Sequence, residues 1–181
     1  SWLWFLPVLF LFNIIYMIYS KAKIKLPNIS LKGAVFLIFI IGFIYSFCMN
    51  IFDLRGWTKT VLIDFQNEKL LIYFMIFLLG SLCFKLKIFE SKPVGKKFYI
   101  VMNCIAWIPI NLYVFLVIYS FVKPGEFVCS RIIDQLLIWI SFHLSLLSLL
   151  YLMIETFRRF LDKQGKIMME LSRNSYYVYI I

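Results

Sequence analysis

Phe98–Phe121 reads FYIVMNCIAWIPINLYVFLVIYSF, a run without one charged residue and bounded by Lys97 and Lys123. Crossing a hydrocarbon core of about 30 Å takes about 20 helical residues, and this stretch is long enough. Four others match it, at Trp2–Tyr19, Ala34–Phe52, Leu70–Leu86 and Ile132–Ile154. A sixth begins at Ile167 and reaches Ile181, where the sequence stops. None alternates with period two, which argues against a β-barrel. The expected fold is all-α, a polytopic transmembrane helix bundle with residues 1–181 in one integral membrane domain.

Composition points the same way. Of the 181 residues, 63% are hydrophobic and only 15% charged, and the mean hydropathy is +0.89. Soluble domains run near 45–50% apolar and about 25% charged. Disorder, collagen-like repeats and a disulfide scaffold are excluded by the same composition. Cys48, Cys83, Cys104 and Cys129 stand singly, and the chain has one His, so neither a disulfide nor a metal site is expected.

The net charge of +10 comes in bursts between apolar runs rather than in a stripe with stacking aromatics, so it reads as topology and not as nucleic-acid binding. Taking alternate connections places thirteen basic residues on one side and five on the other. The positive-inside rule then makes segments 20–33, 87–97 and 155–166 cytoplasmic, in what is expected to be a bacterial or archaeal inner membrane. The first helix would run inward and the last outward. Ser1 stands where a start Met would, no signal peptide is visible, and the apolar run ends abruptly at Ile181. An internal piece of a larger protein is expected.

Several residues could carry chemistry. His143 sits mid-span, where an ionisable group is costly and a functional role is one reading. A neutral imidazole hydrogen-bonded to a neighbouring helix is the other. Asp134 lies nine residues back, about 13 Å along the axis and on the opposite face, too far to orient His143 as a base. Ser141, Ser145 and Ser148 recur on the face opposite His143, the spacing of a close helix contact. Asn103, Pro109 and Asn111 share one span, where the Pro frees a carbonyl. They suit either a cavity wall or simple helix–helix hydrogen bonding. The clusters Lys21/Lys23/Lys25, Lys96/Lys97 and Arg158/Arg159 could hold phosphate, but topology with anionic lipid as partner would produce them equally. In the connection Asp53–Lys69, mixed charge with Trp57 and Phe65 suits a polar, sugar-like ligand or interfacial anchoring. Arg55 is the residue to test there.

Three stretches together resemble the membrane acyltransferase-3 family, which O-acylates glycans and other envelope molecules. Leu3-Trp4-Phe5-Leu6-Pro7 is similar to the family's Leu-Trp-Phe-Leu signature, with Trp2 where the family often has His. Tyr73–Gly80 resembles its Tyr-x-x-x-Phe-x-x-Gly helix. Leu171-Ser172-Arg173-Asn174-Ser175-Tyr176 through Ile181 resembles a late segment that ends in His. The resemblance runs the length of the chain and would make it helices four to nine of ten. It implies acetyl-CoA or another acyl-CoA as donor and an envelope glycan as acceptor. The family's early His and Arg-x-x-Arg do not occur here, so the resemblance assigns no catalytic residue and implies a chain inactive by itself. It carries over Trp4, Phe5, Leu6, Arg55, Ser172, Ser175 and Tyr176 as scaffold or pocket-lining positions. A transporter or flippase, with Pro109, Asn111 and His143 along its path, is the alternative. A non-catalytic membrane subunit is the other.

Overall fold

The computed structural model describes residues 5–21, 29–54, 56–60 and 63–161. Five α-helices follow one another: α1 (Phe5–Lys21), α2 (Leu31–Ile51), α3 (Leu70–Lys85), α4 (Lys96–Val122) and α5 (Arg131–Thr156), the last running into a π-helical turn, Phe157–Leu161. The expected all-α class describes this chain, with one addition. Between α2 and α3, β1 (Trp57–Lys59) pairs antiparallel with β2 (Asp64–Gln66), Thr58 opposite Phe65. A 3₁₀ turn, Asn67–Lys69, then leads into α3.

Four segments are long and apolar enough to cross a bilayer: Leu31–Ile51, Asn67–Lys85, Lys96–Val122 and Arg131–Phe160. They coincide with four of the five full spans expected from sequence. The described part of the first, α1, is shorter at 17 residues, and the expected sixth lies outside the described residues. Local chemistry fixes two of the starts. Ser30 and Ser130 cap α2 and α5, their hydroxyls accepting from the amides of Gly33 and Ile133. This satisfies amides that have no partner inside the helix.

α5 is the central helix, with α4 on one side and α2 with α3 on the other. On the α3 side, Phe142, Leu146, Leu147 and Leu150 pack against Ile38, Ile72, Leu79 and Cys83. On the opposite face Ser141 and Ser145 are buried, and their hydroxyls donate back to the carbonyls of Leu137 and Ser141, each at 2.6 Å. Their polarity is met within the helix, so what they offer a neighbour is small size, as a close helix contact requires. Further along that stripe, Leu149 and Leu152 face Ala106 and Ile110 of α4 across a cavity of about 450 Å³. α1 rests on α3 through Phe12 against Phe74 and Phe77, and through a 2.7 Å bond from the Ser81 hydroxyl to that of Tyr16.

At the end of the bundle where α3 passes to α4, the buried carboxylate of Glu155 accepts from the Val94 amide at 3.1 Å and pairs with Arg158. Arg158 also donates to the carbonyl and hydroxyl of Ser91. Arg159 donates to the Val94 carbonyl and lies 4.8 Å above the Tyr99 ring. Together they clamp the 91–94 connection onto the end of α5.

α2 and α5 are in close contact at Gly42. A Cβ there would stand 2.8 Å from Ile72 Cδ1 and 3.0 Å from His143 Nε2. The imidazole cannot retreat, being hemmed by Phe39, Phe43, Trp139 and Phe142. We therefore expect Gly42→Ala to lower the thermal unfolding midpoint in detergent, at a cost of about 1–3 kcal/mol. Adding Ile72→Val, which removes the nearer obstacle, should recover part of that loss.

Candidate functional site

The chain between β2 and α3 does not stay at the surface. The carbonyls of Asn67 and Glu68 accept hydrogen bonds from Tyr45 Oη (2.6 Å) and Ser46 Oγ (2.8 Å) of α2. Ser46 is five positions before the last residue of α2, about 8 Å down the helix. Part-buried carbonyls that leave the helical ladder need donors from elsewhere in the fold. Tyr45 and Ser46 supply them.

The segment is tied on its other side to the β-ribbon. The Asn67 amide donates to the Gly56 carbonyl at 2.9 Å, and its side chain takes the Thr58 hydroxyl at 2.5 Å and gives to the Leu54 carbonyl at 3.3 Å. The Glu68 carboxylate turns back to accept from the Gly56 amide at 2.9 Å. Gly56 has φ of +124°, a region that residues with a Cβ rarely enter. The ribbon and the segment below it thus form one hydrogen-bonded plug at the end of the bundle.

This plug delivers Lys69 between α3 and α5. The half-buried ammonium lies 5.3 Å from the centroid of the Phe142 ring. Phe142 in turn meets Tyr113 of α4 at 5.6 Å, Trp139 at 5.7 Å and His143 at 5.1 Å between ring centroids. One phenylalanine gathers a cation from the 3₁₀ turn, a phenol from α4, and an indole and an imidazole from its own helix.

His143 is fully buried. Its Nδ1 lies 2.8 Å from the Trp139 carbonyl, and Nε2 abuts the backbone of Gly42. Phe39, Phe43 and Phe142 meet it edge-on. Asp134 is engaged elsewhere, accepting from the amides of Val128 (2.7 Å) and Cys129 (3.2 Å) and so closing the connection before α5. No described carboxylate is hydrogen-bonded to the imidazole. As placed, it is a packed ring at the α2–α5 crossing rather than a base with an orienting acid.

The other expected site residues fall apart in space. Phe5 meets Tyr73 edge-on at 6.3 Å, which brings two of the stretches behind the family resemblance into contact. Asn111 is exposed and donates to the Trp107 carbonyl at 2.7 Å. Asn103, by contrast, lines the α4–α5 cavity. Trp4, Arg55, Ser172, Ser175 and Tyr176 lie outside the described residues, as do Lys23 and Lys25. Of the basic clusters, Arg158 and Arg159 are occupied by internal partners, while Lys96 and Lys97 are exposed. Among the described residues no three His, Cys, Asp or Glu are grouped to hold a metal.

Sequence reasoning overlooked Tyr45, Ser46, Glu68 and Lys69. The signal was present: Glu68-Lys69 abuts the apolar run at Leu70 with no Gly or Pro between, so the charges are delivered directly into the span. Compared with family models, curated proteins and solved structures, the chain finds no match.

Removing the Ser46 hydroxyl would orphan the Glu68 carbonyl in a buried place. Ser46→Ala is expected to destabilise the protein by about 1–3 kcal/mol, read as a lower unfolding midpoint. Hydrogen exchange should accelerate in residues 56–69 while that of α4 is unchanged.

Proposed function

We propose that this chain is part of an integral membrane acyltransferase of the acyltransferase-3 kind. It would pass an acyl group, acetyl in the simplest case, from acyl-CoA to a hydroxyl of a cell-envelope glycan. The observation that carries the reading is the ordered occurrence of the Leu3–Pro7, Tyr73–Gly80 and Leu171–Ile181 stretches in one chain of apolar helices. The contact of Phe5 with Tyr73 supports it, since two of these stretches then belong to one packed helix pair.

The charge distribution supports an orientation. Lys21, Lys85, Lys87, Lys92, Lys96, Lys97, Arg158 and Arg159 flank the helix ends α1, α3, α4 and α5 that belong to one end of the bundle. That end faces the cytoplasm under the positive-inside rule, and the CoA donor is engaged there. The β-ribbon and Lys69 belong to the outer half, where the glycan is. No catalytic residue is assigned within this chain. His143 has no acid partner among the described residues, and the family's His and Arg-x-x-Arg are absent from the sequence.

The test is made in the intact protein in its own cell, by measuring ester-linked acyl groups on the envelope glycan. Arg55→Ala is expected to lower acylation by about tenfold or more at unchanged membrane abundance. Unchanged acylation would remove Arg55 from the site. If deletion of the gene leaves the glycan fully acylated, the acyltransferase reading fails. Loss of the glycan itself, rather than of its acyl groups, would instead favour a flippase.

A further inference from the structure

The cavity between α4 and α5 opens through the outer surface of the bundle. Buried Ala106 and Leu152 line it within, and exposed Trp107, Met153 and Phe157 form its lips. In a bilayer an opening so placed faces hydrocarbon rather than water, so its occupant enters sideways and is apolar. A volume of about 450 Å³ falls in the range of about 300–1,000 Å³ that suits a small molecule. Along α4 the groove runs from Asn103 to Ile110, about 10 Å to about 21 Å beyond Lys96 at the helix end. That is the depth of one acyl chain in one leaflet, half of a hydrocarbon layer of about 30 Å.

The groove is polar at the end nearest Lys96. Asn103 is half-buried there, and its carboxamide hydrogen-bonds to no described residue. Asn13 of α1 and Asn111 of α4, by contrast, each donate to the carbonyl four residues back. Thr156, also in the lining, shares a 2.8 Å bond with the Tyr99 hydroxyl. A carboxamide inside a span is costly until something pairs with it. Lys96 lies seven positions before Asn103, two turns away on the same face of α4. Lys92, Lys96 and Lys97 are exposed, and none forms an ion pair among the described residues. Positive charge, a free carboxamide and an apolar slot therefore follow one another along α4.

We propose that the α4–α5 groove holds one acyl chain of an anionic phospholipid whose phosphate lies toward Lys96 and Lys97. The chain follows Ala106, Ile110, Leu149 and Leu152, an ester carbonyl accepts from the Asn103 amide, and the phosphate meets the two ammonium groups. A zwitterionic lipid offers the same ester and chain but no net charge for the lysines. The inference rests on the chain lying in a bilayer and is independent of acyl transfer.

The test takes the intact protein in detergent, stripped of lipid, and offers it phosphatidylglycerol or phosphatidylcholine with the same acyl chains. Native mass spectrometry counts the lipid retained. We expect one phosphatidylglycerol per chain, held about tenfold more tightly than phosphatidylcholine. Lys96→Gln combined with Lys97→Gln should abolish that preference and leave the phosphatidylcholine adduct. Asn103→Leu should weaken both lipids by about threefold, and Ile110→Trp, which fills the groove, should lose both. Any of these variants binding as the wild type does overturns the proposal, as does equal retention of the two lipids by the wild type. If Ile110→Trp does not fold, the lysine pair and Asn103→Leu decide. A chain that stays in solution without detergent overturns the bilayer and the proposal together, whereas one that needs detergent and retains no lipid overturns the proposal alone. In that case, high-yield crosslinking of Met153→Cys to a cysteine placed within 170–178 would give the groove to the chain's own last apolar segment.

Discussion

Two hydroxyl groups hold the ribbon end of this structure in place. Tyr45 and Ser46 donate to consecutive carbonyls, those of Asn67 and Glu68, and by doing so let a non-helical stretch of backbone enter an apolar bundle. Without such donors each carbonyl would cost free energy comparable to a lost hydrogen bond, and the connection would stay outside. Because it enters, α3 begins part-way down α2, and Lys69 arrives beside Phe142 instead of at the rim. The aromatic gathering around Phe142, the close crossing at Gly42 and the placement of His143 all lie within a turn or two of that entry.

The opposite end is held by a different kind of chemistry. Glu155, Arg158 and Arg159 are used on backbone groups of the connection they clamp and on each other. The side chains of Glu155 and Arg158 are 3% and 9% exposed, so removing either partner would strand a buried charge, a far larger penalty than losing a surface pair. Two adjacent arginines in a basic segment read first as topological charge and only second as a phosphate site. Their geometry makes them structural.

The apolar runs made the helices legible. Span limits at Ala34, Leu70, Phe98 and Ile132 fall within three residues of the observed starts of α2, α3, α4 and α5, because twenty uncharged residues leave few alternatives. The Ser141/Ser145 stripe was legible for the same reason of period. What could not be read was the third dimension of a connection. Asp53–Lys69 looked like a balanced outer loop, and nothing local says that Tyr45 and Ser46, each twenty-two positions before its partner, would bond its last residues. Pairing of that kind is set by helix crossing, which leaves no periodic trace. His143 was visible as an anomaly, but its partner is the absent side chain of Gly42, and a glycine in an apolar helix advertises little.

The early entry of the connection also leaves the helices unequal. α3 has 16 residues and α4 has 27, lengths of about 24 Å and about 40 Å. Counted with the 3₁₀ turn that leads into it, Asn67–Lys85 is long enough to cross a hydrocarbon layer of about 30 Å, whereas α4 is longer than such a layer requires. In a bilayer α4 would have to tilt to keep its apolar length covered, and the helices packed on it would lean with it.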